Sequence, residues 1–176
     1  MIDPSLALYT LEPDPPETRT AEAKTLLEKA QKKIALESSK AAETAEKYLE
    51  EALQIEPDNP LLLNNLALAY THQERLSEAR QLTQTIIDQH PADVDSRIAI
   101  AQLYLQENNL DAAEKVLESL LSQRSFTENN LVSLMLTRSR LLMLQGQDAM
   151  ARLWFQEILP MVKDHPLLRQ LGIGGN

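Results

Sequence analysis

The chain has 176 residues and no cysteine, and 17 basic against 26 acidic side chains leave a formal charge of −9. That length supports one ordinary domain, and the missing cysteine excludes disulfides, thiolate metal sites and a cysteine nucleophile. The acidic balance opposes phosphate backbones and anionic lipid, so neither nucleic-acid binding nor membrane insertion is expected.

The N-terminal residues, "MIDPSLALYTLEP", place Asp3 and Pro4 where a signal peptide would carry a basic start. No stretch approaches the roughly 20 apolar residues of a membrane span. A cytoplasmic protein is the expectation. Residues 1–18 are read as a proline-rich arm, with Pro13, Pro15 and Pro16 favouring extended chain. Within it "SLALYTL" is too apolar for a mere tail, so it either docks on the rest or is disordered. From there on Ala, Leu, Glu, Gln and Lys dominate, all good helix formers, and the fold is predicted to be all-α. Only Gly146 lies outside the terminal "LGIGGN" among the four glycines, so no phosphate-cradling loop is expected.

Residues 19–59 are read as a degenerate first helix pair. Ala45, Leu49, Ala52 and Pro57 mark its second helix, whereas "AEAKTLLEKAQKKIALE" carries little pattern. One continuous helix from about Arg19 to Ile55 is the alternative, because "SSK" at 38–40 is only a mild break. The next pair, 60–93, opens with Asn59 as cap and Pro60 in the first turn, where a missing N–H costs nothing. Leu63, Leu66, Ala67 and Tyr70 then recur at helical spacing. A second helix follows from about Ser77 to Gln89, ended by His90-Pro91. The pair at 94–130 repeats the plan, with Asp93 as the expected cap of its first helix and Asp111 with Glu114 as a capping box for its second. A longer linker, "SQRSFTENN", ends in a second expected box, Ser125 with Glu128. Residues 131–171 form a divergent last pair with a capping segment, "PLLRQLG", and 172–176 a flexible tail. In that pair Phe155 is assigned to the core, and Trp154 to either the core or a partner contact.

Ala67, Tyr70, Leu76 and Ala79 recur as Ala101, Tyr104, Leu110 and Ala113, each 34 residues on, while almost everything between them changes. A fixed period of this length marks helix-pair repeats. Two helices approach closely only where a small side chain meets the neighbour's ridge, so these positions specify packing and carry no chemistry. Nor is chemistry evident elsewhere. His72, His90 and His165 are scattered, "HQE" lacks the second histidine of a zinc helix, and pairs such as Glu43–Lys47 support helices. No cofactor and no metal are expected, and the chain is read as a non-enzyme.

These residues resemble the tetratricopeptide repeat family, whose pattern reappears as Leu63, Leu66, Ala67, Tyr70, Ala79, Thr83 and Pro91, then as Arg97, Ile100, Ala101, Tyr104, Ala113 and Leu117. Thr83 and Arg97 depart from the large apolar residues of the pattern. The resemblance implies a right-handed superhelical solenoid of antiparallel helix pairs, about four units long, whose first helices line a concave groove. Carried over by position, the groove residues are Asn64, Asn65, Leu68 and His72, then Ile98, Gln102, Leu105 and Gln106, then Thr137, Arg140 and Met143. Some family members grip acidic tails with Lys, Arg and Asn; of the matching positions here only Asn65 fits, and Asp95 would repel a carboxylate. The resemblance therefore implies a scaffold that binds a peptide or helix of another protein, as a monomer or weak homodimer. The alternative is a ligand-sensing or regulatory module acting with a larger protein.

Overall fold

The computed structural model describes residues 9–14 and 18–173. The expectations placed on residues 1–8, 15–17 and 174–176 lie outside these described residues. In chain order the elements are β1 (Thr10–Glu12), α1 (Ala21–Ile34), α2 (Ser39–Ile55), α3 (Pro60–His72), α4 (Leu76–Gln89), α5 (Val94–Gln106), α6 (Leu110–Leu121), β2 (Ser125–Thr127), α7 (Glu128–Leu144), α8 (Asp148–Val162) and α9 (Pro166–Gln170). Within the units α1 packs on α2, α3 on α4 and α7 on α8, an all-α fold to which one short β pairing is added. The chain divides into two compact units, residues 15–103 and residues 104–176 with the N-terminal segment up to Asp14.

In the first unit, α1, α2 and α3 enclose a core of Leu26, Leu27, Ala30, Ala45, Leu49, Ala52, Leu62 and Leu66. The expected alternative of one long helix does not form. Glu37 adopts a left-handed backbone, and Ser38 then caps α2 by accepting from the Ala41 N–H. Asn59 caps α3 through the Leu61 and Leu62 N–H groups, with Pro60 in its first turn.

A buried carboxylate ties these ends together. Glu56 Oε1 accepts from the backbone N–H groups of Arg19 (2.8 Å) and Thr20 (2.9 Å) and from the Thr20 hydroxyl, at the start of α1. Its Oε2 accepts from Asn59 Nδ2 at 2.8 Å. Burial pushes this carboxyl's pKa up, but the four donors outweigh it and hold the value below the usual glutamate one.

Each helix pair turns through one left-handed residue: Glu37, Glu74, Asn108 and Gly146 have φ of 49°, 60°, 57° and 74°. In three of the pairs the residue after it donates its N–H back to the carbonyl five positions earlier, Arg75 to Tyr70, Asn109 to Tyr104 and Gln147 to Leu142. That bond satisfies a carbonyl the helix end would otherwise leave open. The two tyrosines thus stand at equivalent helix ends, half-buried, while Ala67, Ala79, Ala101 and Ala113 are all buried. Thr83, at a position expected to be large and apolar, is also buried, its hydroxyl donating to the Ala79 carbonyl of its own helix at 2.8 Å.

In the second unit α7 is covered on most sides, with Leu131, Val132, Leu134 and Met135 fully buried. Both capping boxes expected here give way to other caps. Asn109 caps α6 by accepting from the Ala112 N–H, so the helix begins at Leu110, ahead of Asp111. Thr127 caps α7 through the Asn130 N–H, because Ser125–Thr127 is held extended as β2. Trp154 takes the buried place on α8 and donates its indole N–H to the Met135 carbonyl, while Phe155, the expected core residue, is only half-buried. The segment expected to cap the last pair contains the short helix α9, and its Leu168 is completely buried.

Candidate functional site

The predicted groove residues fall in both units and separate into two kinds. In the first unit Asn65, Leu68 and His72 lie at helical spacing on one side of α3. Leu68 is 41% exposed, His72 is half-buried, and the half-buried Asn65 donates its amide to the Leu61 carbonyl of the same helix. Asn64 is committed elsewhere. Its amide nitrogen donates to Asp93 Oδ2 at 3.0 Å, and its oxygen lies 3.0 Å from the hydroxyl of buried Ser96. The Ser96 N–H also donates to Asp93, so Asn64 braces the capped start of α5 where an open groove residue was expected. Ile98, 2% exposed, is core, and Gln102 is exposed.

In the second unit Leu105 and Thr137 are buried, so neither presents a free face. The Thr137 hydroxyl donates to the Ser133 carbonyl one turn back, which lets a polar side chain stay inside without a solvent partner. Gln106 is exposed. Arg140 and Met143 are exposed together with Leu144, at i, i+3 and i+4, so they share one face of α7. Met143 at 61% and Leu144 at 47% are unusually open for large apolar side chains in a helix otherwise mostly buried.

The sequence reading missed a second feature of this unit. Strand β1 pairs in parallel with β2, Thr10 opposite Ser125, Leu11 opposite Phe126 and Glu12 opposite Thr127. The Thr10 N–H extends the pairing to the Arg124 carbonyl at 2.7 Å. Just ahead of the strand Tyr9 is 4% exposed, its ring edge-on to Phe126 at 5.1 Å and to Trp154 at 6.4 Å. The Arg138 guanidinium covers Trp154 at 4.4 Å. Burial pushes the Tyr9 phenol pKa up, although Arg138 and Arg124 pull it down. The one sequence signal for this docking was the apolar character of "SLALYTL".

Other polar clusters are structural. Arg75 pairs with Glu46 at 2.9 Å and with Glu78, and stacks on the Tyr70 ring at 4.2 Å, joining α2 to the turn after α3. An open cleft between α1 and α2, lined by Glu22, Leu26, Lys29, Glu51 and Ile55, contains none of the predicted groove residues. Among the described residues no group of three or more His, Asp or Glu is arranged to hold a metal, and no helix is long and apolar enough to cross a membrane.

Paired helices, repeated left-handed turns and buried small residues at fixed spacing define a helix-pair repeat protein. The tetratricopeptide repeat family model matches residues 36–94 and 82–129, together more than half of the chain. The chain belongs to the tetratricopeptide repeat family. Among curated proteins, none matches it. Tetratricopeptide repeats generally mediate protein–protein interaction and are typically non-enzymatic scaffolds.

Proposed function

We propose that this chain is an interaction scaffold that holds a peptide or helix of a partner protein on the exposed faces of its first helices. The observation that carries this reading is the open face of α7, where Arg140 stands beside Met143 and Leu144 in a helix that is otherwise mostly buried. Apolar side chains left this open beside a cation suit a ligand that offers apolar anchors and a backbone or side-chain acceptor. Leu68, with Asn65 and His72 on α3, offers a second surface of the same mixed kind.

The test is affinity capture from the native host with the wild-type chain and an Arg140→Ala/Met143→Ala variant. Helicity and melting should be nearly unchanged, since exposed residues contribute little to stability. Capture should fall by about tenfold or more, equivalent to about 1.4 kcal/mol, if these side chains lie at an interface centre. Salt should weaken capture only modestly, with one basic residue in the face. Undiminished capture by this variant, with loss in a control such as Glu118→Arg on α6, would remove the reading.

A further inference from the structure

We propose that the slot formed by Phe126 and Trp154 also takes the Tyr9–Asp14 arm of a second copy of this chain, so that two copies exchange arms. The slot's requirements are shown by what fills it: an aromatic ring packed edge-on against Phe126 and Trp154, then three extended residues running parallel to Ser125–Thr127. A final contact follows, Asn129 Nδ2 donating to Asp14 at 2.9 Å. All of these contacts come from six consecutive residues. A contiguous ligand of this kind is transferable, because its contacts lie in one short run of chain. The other tyrosines, Tyr48, Tyr70 and Tyr104, lie in helices and cannot supply the same strand.

Two features make the second copy the fitting occupant. Without an arm, β2 would present unpaired backbone groups beside the uncovered ring of Phe126, an edge that seeks another strand. The partner with matching chemistry is the arm itself, and every copy carries one arm and one slot. Reciprocal exchange therefore closes as a twofold pair in which each β2 again has its strand partner. Identical contacts form within one copy and between two. Within a copy they link residues 115 apart in sequence. The balance is thus set by that loop closure against protein concentration. Only Tyr9 is buried among the described arm residues, since Thr10, Leu11, Glu12, Pro13 and Asp14 are exposed, so release requires one side chain to leave the interior.

The experiment uses two full-length variants, Tyr9→Ala with a defective arm and Phe126→Ala with a defective slot. Each should sediment as a monomer alone, whereas an equimolar mixture should form a species of doubled mass, because only the mixture combines an intact arm with an intact slot. The wild type should shift toward doubled mass as its concentration rises. A mixture that remains monomeric at high concentration, or a dimer of either variant alone, overturns the proposal. Should Phe126→Ala fail to fold, Tyr9→Ala is titrated with a peptide of residues 7–14, following the emission of Trp154, the one tryptophan in the chain. A saturable shift is expected with this peptide and none with its alanine-substituted form. No shift, or equal shifts with both, is the opposing result. Neither measurement involves the exposed face of α7, so the outcome is independent of the partner-binding reading.

Discussion

Glu56 joins three segments through one carboxylate: the start of α1, the end of α2 and the cap of α3. A glutamine there would keep the size but turn one acceptor into a donor facing the Asn59 amide, which already donates to it. Hydrogen bonds to a charged group contribute more than neutral ones, so Glu56→Gln should lower stability at neutral pH by about 1–2 kcal/mol in urea denaturation. The pH dependence follows from the depressed pKa of the folded state. The wild-type advantage is complete above the unfolded glutamate value, about 4.3, and fades as pH falls through the lower folded value. The gap between wild type and variant should therefore narrow in acid. A gap of the same size at both pH values would assign the effect to packing and not to charge. Asn59 was legible as a cap because its partners, the Leu61 and Leu62 N–H groups, are two and three residues away and Pro60 follows it directly. Glu56 was not, since its partners Arg19 and Thr20 are 37 and 36 residues away.

Among the elements, the repeated turn is the most regular feature, yet its key position is glycine only once. A left-handed backbone costs an ordinary residue about 1–2 kcal/mol, partly offset by the entropy a glycine loses on folding. Glu74→Gly should accordingly stabilise the chain by about 0.5–1 kcal/mol, and Gly146→Ala should destabilise it by about 1 kcal/mol. Apart from the glycine and its chain neighbours, no atom lies within 4 Å of a Cβ added at Gly146, so that cost would come from the backbone alone. Opposite signs in chemical denaturation are expected; equal signs would mean that the side chains, not the turn, decide the outcome. The turns were legible as breaks in the apolar pattern. Strands β1 and β2 were not, because three residues are too few for a periodic signal and their pairing joins Thr10 to Ser125. The face of α7 was read only in part. A helix apolar nearly all round gives no gradient from which to choose its open side, and Thr137 is buried because its hydroxyl bonds to its own helix.

For the molecule as a whole, the division into two units means that stability need not be shared evenly. In the second unit, Leu168 of α9 and Ile158 and Val162 of α8 are all fully buried. Terminal repeats otherwise leave a stacking face open. Leu168→Ala should cost about 2–4 kcal/mol as a core truncation. Hydrogen exchange should register the loss first in α7 and α8, with α1 to α3 keeping more of their protection. Uniform loss across both units would show that the chain unfolds as one cooperative body. That the chain is built from helix pairs was legible from the spacing of Ala67, Ala79, Ala101 and Ala113. The division was not, because a continuous repeat gives no sign of where cooperation weakens.

The docked arm also gives the molecule its own clock. Chymotrypsin selects large hydrophobic side chains through a hydrophobic slot, and such cleavage needs an accessible, extended bond. Tyr9 leads directly into extended chain, but its ring is held against Phe126 and Trp154. Cutting after Tyr9 must therefore wait for the arm to lift. Where lifting and settling are fast compared with cutting, the cleavage rate counts the fraction of time the arm spends free. An unlabelled chain and a common protease thus report directly on how firmly the arm is held.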